Sequence, residues 1–172
     1  SLAGDRKASK KEAQEAAARC QGSAAVVQSV ERWEKTEKPP ALFDLTTLQR
    51  DANRTLGYTA QQTLDYLQAL YDKKLSTYPR TDSRYLTDDM EAGVPALVEA
   101  AASICGVTAP ETVLAGQVCD SARVSDHHAV VPTASAGKAD LEALPIGERE
   151  ILRLVSLGLL RAVCPPCRSA ET

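Results

Sequence analysis

The chain has 172 residues, 44% of them hydrophobic and 25% charged, the profile of an ordinary globular protein of about one domain. That excludes global disorder, a collagen-like repeat and a disulfide-dense miniprotein, and with aromatic residues at only 4% the core must come from Leu, Val, Ala and Ile. Twenty basic against 23 acidic residues give a net charge of −3, so overall charge announces no nucleic-acid partner and any such binding must be argued locally. No apolar run approaches the roughly 18 residues of a membrane span. No apolar signal core follows the basic start, and five cysteines at irregular spacing argue against a secreted disulfide framework; a reducing cytoplasm is the expectation.

Residues 1–22 are rich in good helix formers and close on Gly22, predicting one helix that stops near Cys20. Val26, Val27 and Val30 among polar neighbours predict a strand over 23–33. Residues 34–40 are charged and end in Pro39-Pro40, a linker or domain edge. Beyond it Leu48, Ala52 and Leu56 recur at helical spacing up to Gly57. Thr59 and Gln62 form a capping box before Leu64, Leu67, Leu70 and Tyr71. This helix pair, turned at Gly57, suits a helix-turn-helix or winged-helix core, although many helical hairpins read the same way.

A short extended segment from 74 to 78 runs into Pro79. A helical stretch starts at Thr87, is interrupted at Gly93 and Pro95, and fades at Gly106. Val118, Val124 and the run Ala129-Val130-Val131 predict short strands over 116–132, and 134–138 reads as loop. Residues 148–163 form an amphipathic helix that ends before Pro165-Pro166. The fold class is α+β, mostly helical with small sheets. Neither end carries enough structure to bury its own apolar face, which suggests an excised piece of a longer chain.

Two segments hold reactive side chains. In the first, Tyr78-Pro79-Arg80-Thr81-Asp82-Ser83-Arg84-Tyr85, a tyrosine sits beside two arginines. Tyr has a reference pKa of about 10 and becomes a nucleophile when nearby cations stabilise the phenolate or the phosphate it attacks. Arg80 can fork onto phosphate oxygens, Asp82 can hold that guanidinium, and Thr81 and Ser83 can bond backbone phosphates. The bland alternative is a turn with partly buried tyrosines and a surface Arg–Asp pair.

In the second segment, 126–133, stand the only two histidines, His127 and His128. Adjacent side chains of an extended segment face opposite ways, so one can reach a site while the other does not. Zero spacing and no third ligand make a metal site there a poor reading. Cys164-Pro165-Pro166-Cys167 lacks a second ligand pair for zinc and follows a helix, which does not suit a thioredoxin-like motif. No Gly-rich phosphate loop and no metal-binding carboxylate set is visible.

Residues 39–54, PPALFDLTTLQRDANR, resemble the opening of the tyrosine-bearing domain of type IA DNA topoisomerases. Residues 75–86, LSTYPRTDSRYL, resemble the active-site segment in its topoisomerase III version, and 126–133 resembles the family's His-containing segment. The resemblance implies a winged-helix (CAP-like) tyrosine domain, domain III, over 39–147. Residues 1–38 would be part of a gate (arch) domain, and 148–172 a return helix and tail of a neighbouring domain.

It also implies roles for residues. Tyr78 falls at the nucleophile that forms a 5′-phosphotyrosine link to one strand, Arg80 at the residue that positions the phosphate, and His127 at the phosphate-proximal histidine. His128 and Asp82 are supporting residues, Asp82 by orienting Arg80. Thr46, Thr47, Gln49, Arg50, Thr81, Ser83 and Arg84 would lie along the DNA. The implied partners are single-stranded DNA and the remaining domains of the parent enzyme, in the cytoplasm at the nucleoid. No cofactor is expected in this chain. Mg²⁺ would act through a separate acidic toprim domain, so this piece alone is expected to bind DNA weakly and to cleave none. A stand-alone, non-catalytic helix-turn-helix DNA-binding module and a helical interaction domain are the alternatives.

Overall fold

The computed structural model describes residues 9–22, 24, 26, 27, 29, 30 and 33–171. Contacts divide the chain into two compact units, Ser1–Lys35 with Ala170–Thr172, and Thr36–Ser169. In the first, α1 (Lys10–Cys20) begins at a capping box in which the Ser9 side chain accepts from the Glu12 N–H and the Glu12 carboxylate accepts from the Ser9 N–H. The strand expected over 23–33 falls partly outside the described residues. Those described within it before Trp33 are not in a strand, and Val26, Val27 and Val30 are exposed. The strand forms instead at Trp33–Glu37 (β1), which pairs with β2 (Cys167–Glu171) in a two-stranded sheet.

The larger unit is mostly helical. Asp44 caps α2 (Leu45–Leu56) by accepting from the Thr47 N–H at 2.6 Å, and Gly57 ends it at φ 76°, the left-handed conformation that glycine adopts without a Cβ clash. Thr59 and Gln62 then cap α3 (Ala60–Asp72) reciprocally. Leu48, Ala52, Leu67 and Leu70 are fully buried where the two helices meet the core. Each buried Leu contributes about 2 kcal/mol relative to exposure.

A 3-10 turn at Asp88–Gly93 leads into α4 (Val94–Cys105), with Pro95 tolerated in its first turn and Gly106 closing it. The short strands expected over 116–132 are mostly 3-10 turns, Ala115–Gln117 and Ser121–Arg123, followed by one extended segment held through isolated bridges. The expected loop at 134–138 is also a 3-10 turn.

That extended segment organises the unit. Its side chains alternate, as a strand's must. Ala129 and Val131 enter one apolar cluster with Leu42, Leu86 and Val98, while Val130 enters another with Phe43, Leu48 and Ile151. Its backbone is held from both sides. The Val130 N–H donates to the Phe43 carbonyl (2.8 Å), the Thr77 N–H to the Val131 carbonyl (3.0 Å) and the Thr133 N–H to the Leu75 carbonyl (3.1 Å).

Helix α5 (Ile146–Ala162) contributes to both clusters, Ile151, Leu152 and Val155 to one and Leu159 and Leu160 to the other. Residues 148–169, set apart in the sequence reading as belonging to a neighbouring domain, thus lie within the Thr36–Ser169 unit. The physical reason is that most of α5 is buried, packed on α3 and α4. Gly158 permits the contact with Phe43, since a Cβ there would stand 2.5 Å from the ring.

Candidate active site

Tyr78 ends the extended segment that pairs with 131–133, so the register of that pairing decides what the tyrosine meets. Thr77 secures it. Its hydroxyl donates to the Ala129 carbonyl (3.1 Å) and accepts from the Val131 N–H (3.0 Å), beside the two backbone hydrogen bonds already described. The Tyr78 ring, half-buried, consequently lies 4.2 Å centroid to centroid from the His127 imidazole, tilted by 43°. Its other neighbour is Tyr71, edge-on at 5.5 Å and 81°.

Two cavities flank this cluster. One, of about 460 Å³, is lined by Thr46, Arg80, Asp82, Ser125, Asp126 and His127 among others. The other, of about 550 Å³, is lined by Tyr71, Lys74, Tyr78, His128 and Thr133 among others. The two adjacent histidines therefore divide, His127 to the first cavity and His128 to the second. The His128 Nδ1 stands 2.9 Å from the Ala129 carbonyl and can donate to it in the tautomer that carries the proton there. Arg80 is exposed and has no ion pair among the described residues. Its fork of donors is available to an anion.

Several residues expected along the DNA are turned inward. Thr81 and Ser83 are 7% and 4% exposed. The Thr81 hydroxyl donates to the His127 carbonyl (2.8 Å) and the Ser83 hydroxyl to the Arg123 carbonyl (3.0 Å), so both hold the site loops together and offer no hydroxyl to a phosphate. Buried hydroxyls take a protein partner because leaving them unpaired is costly.

Arg84 donates from Nε to the Leu42 carbonyl (3.0 Å). Asp82, expected to orient Arg80, instead accepts from the Ser125 hydroxyl (2.9 Å). In α2 the Thr47 hydroxyl belongs to the capping box with Asp44, and Gln49 donates to the Ala60 carbonyl (3.0 Å) at the start of α3. Thr46 and Arg50 are exposed. Sequence reasoning gave Thr77 no role. A threonine directly before a reactive tyrosine is a signal, but its partners 52 and 54 residues away are visible only in the fold.

Among the described residues no group of three or more His, Cys, Asp or Glu side chains is placed to hold a metal ion. No helix among them is long and apolar enough to cross a membrane. Cys164 donates its thiol to the Leu160 carbonyl (3.1 Å), and both it and Cys167 are free thiols.

With this geometry in view, comparison with known proteins is decisive. The family model described as DNA topoisomerase matches residues 2–172. This chain belongs to the DNA topoisomerase family. It is 39% identical over 153 residues to DNA topoisomerase 3 of Bacillus cereus strain ATCC 10987, covering 82% of this chain and 20% of that protein. It is 36% identical over 159 residues to DNA topoisomerase 3 of Bacillus licheniformis, covering 88% of this chain and 22% of that one. The chain thus spans about a fifth of the length of these curated relatives. In fold it is similar to full-length topoisomerase I from Thermotoga maritima, with a TM-score of 0.66 and 24% identity over 99% of this chain and 28% of that one.

Proposed function

We propose that this chain is the cleavage-religation domain of a type IA, topoisomerase III-like DNA topoisomerase, with Tyr78 as its nucleophile. The observation that carries the reading is the contact between the Tyr78 ring and His127, with Arg80, two residues along, exposed and in no ion pair among the described residues. The Tyr78 phenol oxygen attacks a phosphodiester phosphorus of a single strand. It loses its proton, the P–O3′ bond breaks, the 3′ oxygen leaves and takes up a proton, and a 5′-phosphotyrosine link remains. Reversal reseals the strand, and the link conserves the phosphodiester energy, so no nucleotide triphosphate is consumed. Charge in a phosphoryl transition state spreads over the nonbridging oxygens, where Arg80 bonds them bidentately and His127 donates or moves a proton.

The described residues do not fit a Mg²⁺ site; the carboxylates for that ion would belong to a separate toprim domain. By the same reading the isolated chain binds single-stranded DNA weakly, because residues 71–85 carry four basic against two acidic residues, and it does not cleave. The parent enzyme would act in the cytoplasm at the nucleoid. A non-catalytic helix-turn-helix module reading duplex DNA is disfavoured, because α3, its second helix, contains no Lys or Arg.

The test uses the longer protein that carries this chain and a single-stranded oligonucleotide labelled at its 3′ end. Denaturation should leave the label attached to protein, whereas a 5′ label should not be retained. Tyr78→Phe should abolish the adduct, and His127→Ala should slow its formation roughly 10²- to 10⁴-fold. Undiminished adducts in Tyr78→Phe would overturn the assignment.

A further inference from the structure

We propose that Tyr71 and Lys74 form a second nucleotide subsite for single-stranded DNA, on the side of Tyr78 away from Arg80, in which Tyr71 stacks a base and Lys74 holds a backbone phosphate. The inference rests on Tyr78 acting on a DNA strand.

Three observations converge on it. First, Tyr71 is a large aromatic left 40% exposed at the end of α3, its ring edge-on to the nucleophile's at 5.5 Å. Exposed aromatic faces are the sequence-tolerant platforms on which single-stranded bases stack. Second, both tyrosines line the same cavity of about 550 Å³, with Lys74, His128 and Thr133. That is room for a nucleotide, and its walls supply the Lys74 ammonium and the His128 imidazole, beside the Asp72 carboxylate and a Thr133 hydroxyl committed to the Lys74 carbonyl.

Third, Lys74 has a φ of 61°, the one non-glycine residue with positive φ among the described residues. A lysine there stands where glycine or asparagine would be at ease. The turn is fastened around it. The Lys74 N–H donates to the Tyr71 carbonyl (2.8 Å), and the Lys74 carbonyl accepts from the Thr133 hydroxyl (2.7 Å). Such outliers cluster at functional sites, where the surroundings over-determine the conformation. The neighbouring Lys73 is committed to Glu148, while Lys74 has no ion pair among the described residues, so of this pair it is the ammonium left for a ligand.

A strand crossing the site would then be held at two points. Arg80 and His127 take the reacting phosphate in one cavity, and Lys74 and Tyr71 take an adjoining nucleotide in the other. Tyr78, between them, meets a phosphate whose neighbours are fixed, which aligns phenol oxygen, phosphorus and leaving oxygen.

The experiment uses the longer protein that carries this chain and oligonucleotides with 2-aminopurine scanned along the strand. In a Tyr78→Phe background, so that DNA is bound and not cut, one position beside the cleavage point should be quenched by stacking. Tyr71→Ala should abolish that quenching and weaken binding roughly 5- to 100-fold, while Tyr71→Phe retains both. Lys74→Gly should fold without loss, since glycine accepts the left-handed turn. It should lower the slope of log K against log salt by about one.

Because stacking is read by fluorescence and not by cleavage, the subsite stands or falls on its own. Unchanged quenching and binding when Tyr71→Ala and Lys74→Gly are each added to the Tyr78→Phe background would overturn it, whether or not the protein with Tyr78 intact makes adducts. Quenching lost in Tyr71→Ala would uphold it even in a protein that forms no adduct.

Discussion

Thr77→Val tests whether one hydroxyl fastens the tyrosine segment to the histidine segment. Valine has nearly the shape of threonine, so the change removes polarity without opening a cavity. The Val131 N–H loses its acceptor at 3.0 Å, and Val131 is fully buried. An unsatisfied buried donor costs about 1–3 kcal/mol. The Ala129 carbonyl loses a donor at 3.1 Å but keeps the His128 Nδ1 at 2.9 Å in the tautomer that carries the proton there, which makes its share smaller. A total near 2 kcal/mol is expected. At about 2–4 °C per kcal/mol for a chain of this length, the melting temperature should fall by roughly 4–8 °C. Thermal unfolding of the chain followed by circular dichroism reads this directly. Thr77→Ser, which keeps the hydroxyl, should lose less than Thr77→Val. If Thr77→Val melts within 1 °C of the parent, or if serine costs more than valine, the hydroxyl is not the fastening.

Three further expectations concern the scaffold. Lys73→Met should destabilise by about 1–3 kcal/mol in urea unfolding, because it strands the Glu148 carboxylate at 7% exposure; the half-exposed position of Lys73 keeps the loss below that of a fully buried pair. Changing Glu148→Gln in the same protein should recover part of it. Gly158→Ala should cost about 1–3 kcal/mol by calorimetry, since the new Cβ would stand 2.5 Å from the Phe43 ring, and Phe43→Leu should relieve it.

Tyr58 donates its phenol to Glu150, and that hydrogen bond, chiefly, pushes its pKa up to about 12. A folded value above the unfolded one of about 10 means the folded state retains the proton longer. The contribution is therefore complete below pH 10 and disappears as pH rises from 10 towards 12. The stability difference between the parent and Tyr58→Phe should shrink across that window, and a constant difference would contradict the bond.

Much of the secondary structure was legible because its signals are local. Thr59 and Gln62 sit three residues apart and cap α3 whatever surrounds them, and Gly57 and Gly106 mark helix ends through a conformation that other residues resist. The mostly helical class followed from such signals and from apolar spacing. Short apolar runs carry less information. Val118 belongs to a 3-10 turn region, whereas Val130 and Val131 lie in a bridged segment, and nothing within a few residues of either separates the two outcomes.

The types and order of the site residues were also in the sequence, since 75–86 and 126–133 carry them. Their orientation was not. A hydroxyl written as Thr81 or Ser83 reads the same whether it faces a phosphate or a buried carbonyl, and a carboxylate written as Asp82 does not say whether it holds Arg80 or Ser125. Such choices depend on partners about 40 to 55 residues away, and only the antiparallel register of 75–77 against 131–133, set by burying Ala129 and Val131 to one side and Val130 to the other, brings Tyr78 against His127.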